Sequence, residues 1–303
     1  MGSVTRLKAR TVTTWPVAVD HFLAARDLSA GSQRVYRLTL DHVDDALPTR
    51  NLADVEPADI TEALLAAFPH AAPATWNRHI ATVRSFLAYA TRQGWTTGGL
   101  GDTVERRREV TDHNRALTVA EVTQLLERKD IPVRERCLWN MLYDTAARSN
   151  EILRLDVQDL DLAQHRAVTI RKGGAIDMVH WASRTARLLP YVIDGRNSGP
   201  VFLSTRPVQA RRTPARGDID PSTGLPRLSY GRASEVFKAE TGGWTLHQLR
   251  HSALTHLAED GTSLNMLMAK SRHQSLRTMQ RYLHPSAEAV ARLTAEHDPA
   301  RRR

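Results

Sequence analysis

The feature that most restricts how this chain can fold is an interruption. Gly98-Gly99-Leu100-Gly101-Asp102, then Glu105-Arg106-Arg107-Arg108-Glu109 and His113-Asn114-Arg115, separates two stretches with the apolar periodicity of helices. A glycine-rich break followed by a charge run marks a domain boundary, and 303 residues with 41% hydrophobic content are enough for two buried cores. The expected organisation is a polar tail over 1–14, a helical domain over 15–100, a linker over 101–116, a second domain over 117–285 and a helical tail over 286–303.

In the first domain, Val17, Val19, Phe22 and Leu23 form one apolar stripe and Ile80, Val83, Phe86 and Leu87 another. Thr75 to His79 opens the second stripe and sets Arg78 on a face that either tracks a polyanion or is simply solvated. The second domain opens at Thr118-Val119-Ala120-Glu121, which fits a capping box. Helices are expected over Val119–Glu127 and Val133–Tyr143, with a helical turn from Asn150. Ala167–Ile170 and Ile176–His180 read as two strands joined through Arg171-Lys172-Gly173-Gly174-Ala175. The fold class is therefore mainly α with one small β-sheet (α+β). Thr205–Leu228, rich in Pro, Arg, Gly, Asp and Ser, is expected to be an exposed, mobile loop.

No apolar run approaches the roughly 20 residues that cross a bilayer, and the N-terminus lacks a signal-peptide core, so a cytoplasmic protein with no membrane partner is expected. The single cysteine, Cys137, sits in an apolar run and reads as a buried small side chain. The formal charge of +9 favours a polyanion, nucleic acid first, because neutralising phosphates releases counterions. Of 42 basic residues only five are lysine. Arginine suits forked phosphate contacts, and a GC-rich genome would encode the same bias.

Chemistry is concentrated in scattered polar residues of the second domain. His247 and Arg250 lie three apart in His247-Gln248-Leu249-Arg250-His251, on one helical face, where their donors can converge on a small anion. Arg148 follows an apolar helix, Glu151 comes one turn later, and His273 precedes Tyr282 by nine residues. His247 and His251 at i and i+4 also suggest a zinc-binding His-Glu-x-x-His helix, but Gln248 occupies the position of the general-base glutamate, and an amide cannot accept that proton.

These segments resemble the signature boxes of the tyrosine recombinases, or phage integrases, in family order across residues 145–284. Thr145-Ala146-Ala147-Arg148-Ser149-Asn150-Glu151-Ile152-Leu153-Arg154-Leu155 resembles the box of the first catalytic arginine, and Asp159-Leu160-Asp161 its acidic end. Lys172 resembles the hairpin lysine, His247 to Ala253 the second box, and His273, Tyr282 and His284 the last. Two positions depart from the common pattern, Ala146 and Arg272 standing where glycine is usual.

The resemblance implies a two-domain C-shaped DNA clamp with a helical core-binding (SAM-like) domain and an integrase-type catalytic domain. Its implied activity is site-specific recombination of double-stranded DNA through a 3′-phosphotyrosine on Tyr282, without metal, ATP or other cofactor. Arg148, Lys172, His247, Arg250 and His273 would surround the phosphate, with Glu151 and His251 supporting them. Arg78, Arg106, Arg107, Arg108, Arg211 and Arg212 are candidates for DNA contact. A tetramer on DNA, with the tail over 286–303 between protomers, and accessory DNA-bending or directionality proteins are the implied partners. The chemistry gives these residue types an independent rationale: attack by a tyrosine hydroxyl builds negative charge on the non-bridging oxygens, which fixed arginines stabilise, and the departing 5′ oxygen needs a proton. A DNA-binding regulator that does not cut, and a type IB topoisomerase, are the competing readings.

Overall fold

The computed structural model describes residues 13–109, 116–170, 174, 176–205, 215–273, 275–280, 290–291 and 294–295. Lys172, Arg211, Arg212, Tyr282 and His284 lie outside them, as do most of the two tails.

The chain divides into two compact units, Met1–Thr111 and Asp112–Arg303. In the first, helices α1 (Trp15–Ala24), α2 (Ala30–Ala46), α3 (Pro57–Ala67) and α4 (Pro73–Arg92) enclose one core. Proline occupies the first turn of α1, α3 and α4, where its missing N–H costs nothing. The aromatic centre is Trp15, Phe22 and Phe86; the Trp15 and Phe86 rings lie 4.7 Å apart, and Trp15 Nε1 donates to the Leu40 carbonyl at 3.0 Å. Val17, expected on the apolar stripe of α1, is instead 48% exposed, because the buried face runs through Trp15, Ala18, Val19, Phe22 and Leu23.

The glycine-rich break is held against α4. Arg84 Nε donates to the Gly101 carbonyl at 2.9 Å, Trp76 Nε1 to the Glu105 carbonyl at 3.0 Å, and Asn77 pairs with the backbone of Arg107 through both its amide atoms. A Cβ on Gly101 would come within 3.0 Å of Arg84 Cγ, so glycine permits this close approach.

The second unit is built on α6 (Val133–Thr145), with α5 (Val119–Glu127) before it. Thr118 and Glu121 form the expected reciprocal cap at the start of α5. Cys137, Leu138, Trp139, Met141 and Leu142 of α6 are all buried, as in a helix surrounded by neighbours, and burial raises the Cys137 thiol's pKa. After α7 (Ser149–Leu153) come β1 (Leu160–Asp161), β2 (Arg166–Ile170) and β3 (Ile176–His180), an antiparallel meander in that order. The two expected strands pair from Arg166↔His180 to Ile170↔Ile176, and the short β1 is an addition. Helices α8 (Ser183–Ile193), α9 (Tyr230–Thr241), α10 (Leu246–Glu259), α11 (Leu264–Ser271) and α12 (Leu276–Met279) complete the unit. This is the mainly helical fold with a small sheet that the sequence predicts.

The described half of the expected mobile loop, 215–228, is ordered and partly buried. Arg227 donates to Asp218 at 2.7 Å, to Asp156 at 2.6 Å and to the Leu153 and Leu155 carbonyls at 3.1 Å. Asp220, 1% exposed, accepts from Ser222, Thr223 and Arg196. Irregular backbone is fixed here by side-chain bonds that leave no periodic signature.

Candidate active site

Two left-handed turns position the site. Helix α6 stops at Ala146, which has φ of 48° and is fully buried; the chain then reverses and sets Arg148 as the cap of α7. Helix α11 stops at Arg272, with φ of 58°, and the next residue is His273. These are the two positions where the sequence departs from glycine. The positive φ explains why glycine suits them, and a side chain there costs on the order of 1–2 kcal/mol.

Arg148 is 48% exposed at its side chain and Glu151 only 7%. Arg148 Nη1 donates to Glu151 Oε1 at 2.9 Å, and its backbone N–H donates to Oε2 at 3.1 Å. Arg272, 3% exposed, donates from Nη2 to the same Oε2 at 3.1 Å. Glu151 therefore lies between two guanidiniums. Burial alone would raise its pKa, but the bonds from Arg148 and the charge of Arg272 outweigh burial and lower it.

Helix α10 begins with Thr245 and Gln248 in a capping box, so Gln248, which had counted against zinc chemistry, closes the helix start. One turn in, His247 is exposed and Arg250 is buried at 2%. The Arg250 guanidinium donates from Nη1 to the Ala146 carbonyl at 2.5 Å and from Nη2 to the Ser271 carbonyl at 2.8 Å, tying both turns together. Nη2 is also 3.1 Å from His273 Nε2, and His273 Nδ1 is 2.8 Å from Ser271 Oγ. Since a guanidinium only donates, Nε2 is the acceptor and Nδ1 carries the proton. Burial, then the charges of Arg250, Arg148, His247 and Arg272, push the His273 pKa down to about 4, so the ring is neutral at pH 7. Beneath these groups Ala146, Ala253, Leu254, Leu267 and Met279 form a small apolar cluster joining the turns to α10–α12.

Arg148 and Glu151 thus belong to one hydrogen-bonded group and Arg250 and His273 to a second, and the charges of Arg148 and His247 both reach His273. His251 stands one turn along α10 with Nδ1 3.2 Å from Thr255 Oγ1. In the first unit Arg78, Arg106 and Arg108 are exposed. Arg107 stacks 4.1 Å above the Trp76 ring and donates to the Ala71 carbonyl at 2.7 Å, so much of its guanidinium is engaged within the unit. Sequence reasoning did not foresee the pairing of Arg272 with Glu151 or the place of Ser271 beside His273. The signal for the first was a bulky residue at a glycine position.

The family model described as Phage integrase family matches residues 115–289, and that described as Phage integrase, N-terminal SAM-like domain matches residues 19–94. The chain belongs to the phage integrase family, the tyrosine recombinases, which break and rejoin DNA. Among its relatives, Tyrosine recombinase XerC of Roseiflexus sp. (strain RS-1) is 28% identical over 273 residues, covering 87% of this chain and 86% of that protein. Tyrosine recombinase XerD of Mycobacterium leprae (strain TN) is 29% identical over 311 residues, covering 93% and 95%. A lambda integrase tetramer bound to a Holliday junction shares the fold, with a TM-score of 0.65 and 18% identity over 87% of this chain and 78% of that one.

Proposed function

We propose that the chain is a site-specific recombinase in which Tyr282 attacks a DNA phosphodiester, forming a 3′-phosphotyrosine bond as the bond to the 5′ oxygen breaks. The observation that carries this reading is the convergence of Arg148, Arg250 and His273 from three separate segments, with Arg250 3.1 Å from His273. Arg148 and Arg250 stabilise the charge on the non-bridging oxygens, and because they are ionised at any physiological pH they do so without a proton transfer. Lys172 supplies the proton to the leaving 5′ oxygen, and His247 hydrogen-bonds the phosphate. His247 and His273 are the two candidates to take the Tyr282 proton. Glu151 and His251 support these groups. Attack by the 5′ hydroxyl of another strand on the phosphotyrosine then reseals the DNA and frees Tyr282, so the bond energy is conserved and neither ATP nor a metal is required.

In this reading residues 15–100 are the core-binding domain and 117–285 the catalytic domain of a DNA clamp. Arg78, Arg106 and Arg108 meet DNA with further contacts from Arg107, Arg211 and Arg212, and the tail over 286–303 bridges protomers of a DNA-bound tetramer in the cytoplasm. The solved lambda integrase tetramer on a Holliday junction supports the tetramer by likeness of fold.

The test is to incubate the protein with nicked duplexes carrying its recombination site and to look for a denaturation-resistant protein–DNA adduct. The adduct is expected from the wild type and absent from Tyr282→Phe. Arg148→Ala or Arg250→Ala is expected to slow its formation by about 100- to 1,000-fold. Binding without adduct would favour a regulator, and site-independent relaxation of supercoiled plasmid a topoisomerase.

A further inference from the structure

We propose that Arg272 is a positioning residue for strand cleavage: it clamps the Glu151 carboxylate, and the clamped carboxylate sets the Arg148 guanidinium toward the phosphate. The proposal rests on the recombinase reading and adds a residue that reading does not use. Its basis is an arginine that is costly twice over. Arg272 is a non-glycine residue at φ of 58°, and its side chain is 3% exposed, so both its backbone and its charge oppose its presence. Its Nη2 lies 3.1 Å from Glu151 Oε2, while Arg148 Nη1 lies 2.9 Å from Oε1, so one carboxylate is held from two sides and the exposed member of the trio is Arg148.

Charge explains what the second guanidinium adds. Glu151 with Arg148 alone is a neutral pair, in which Arg148 is drawn to its own carboxylate and is less available to a phosphate. With Arg272 the hydrogen-bonded trio keeps one net positive charge, and the part facing solvent is Arg148. The surroundings fit this division: Asp177 on β3 acts on Arg272 in the same sense as Glu151, and Lys270 on α11 lies close enough to feel the charge of Arg272. Arg272, its side chain almost wholly buried, is thereby balanced by the carboxylates of Glu151 and Asp177.

Three substitutions separate this role from a purely architectural one. Arg272→Gly removes the guanidinium and relieves the left-handed backbone; Arg272→Gln removes the charge without making the turn more flexible; Arg272→Lys keeps the charge and the strained backbone. Single-turnover adduct formation at saturating protein on the nicked site is expected to fall about 10- to 100-fold in R272G and R272Q, with DNA affinity little changed, and to recover largely in R272K. If the turn alone matters, R272G will cleave as fast as the wild type or faster and R272Q will match the wild type, which overturns the proposal. A second arm needs no DNA chemistry. The Arg148 Nε–Hε NMR resonance of the DNA-free protein, assigned by its loss in Arg148→Lys, is expected to move in R272G and R272Q and to stay near its wild-type position in R272K. An unmoved resonance in R272G and R272Q overturns the link even where cleavage falls. A wild type that forms no adduct overturns the recombinase reading, and the resonance still decides whether Arg272 sets Arg148.

Discussion

At pH 7 the His273 ring is uncharged, held so by its burial and then by Arg250, Arg148, His247 and Arg272 around it. Its folded pKa of about 4 lies below the ordinary 6.5, so between those values the unfolded chain binds the proton more readily than the folded one. The stability linked to neutral His273 is therefore fully present above pH 6.5 and is lost as pH falls toward 4. Urea midpoints of the wild type and of His273→Gln are expected to converge over that range, and midpoints that fall in parallel would show that His273 does not carry this linkage. The Glu151 pKa is lowered too, and there the shift favours the charged form, kept by the bonds from Arg148 and the charge of Arg272 against the cost of burial. At this scale the candidates Arg148, Glu151, His247, Arg250 and His273 could be picked out by type and local spacing, and the fold brings Arg148 to Glu151 and Arg250 to His273. The ion pair of Arg272 with Glu151 was not legible in the sequence, because it joins residues 121 positions apart and nothing periodic connects them.

Among the elements, those announced by periodicity or capping were readable. The start of α5 follows from Thr118 and Glu121, and the hairpin from two short β-prone runs around a glycine-rich turn. Two-residue β1 is too short to carry an alternation, and its place depends on pairing Leu160↔Ala167 and Asp161↔Arg166. The segment 215–228 misled for a related reason: its composition is that of an exposed loop, while its order comes from Arg227, Arg196 and Asp220 bonding across the unit. Burial alone would raise the Asp220 pKa, but the bonds from Thr223, Ser222 and Arg196 outweigh it and hold the carboxyl well below the usual range. Gly199 belongs to this arrangement, with φ of 81° and a would-be Cβ only 2.7 Å from Asp220 Oδ1. Asp220→Ala removes the partner of buried Arg196 and is expected to destabilise the protein by about 3 kcal/mol in denaturant unfolding. A change below about 0.5 kcal/mol, the size typical of a surface substitution, would mean that the segment does not depend on this carboxylate.

For the whole molecule, the interruption at Gly98–Asp102 falls inside the first unit, whose core takes in Leu100 and Val104; Arg84 binds the break and Trp76 and Asn77 the charged run after it, so a glycine-rich composition there marked close packing rather than the boundary itself. Among the described residues no helix is long and apolar enough to cross a membrane. The net charge of +9 suits a partner that is a polyanion along its length, and membership of the phage integrase family gives that charge a purpose. All of this converges on one covalent bond. The most direct measurement is to trap the wild-type adduct on a nicked site, digest both protein and DNA, and locate the nucleotide-bearing residue by mass spectrometry. The account predicts a 3′-phosphonucleotide on Tyr282; a nucleotide on another residue, such as the exposed Tyr191 or Tyr230, would contradict it.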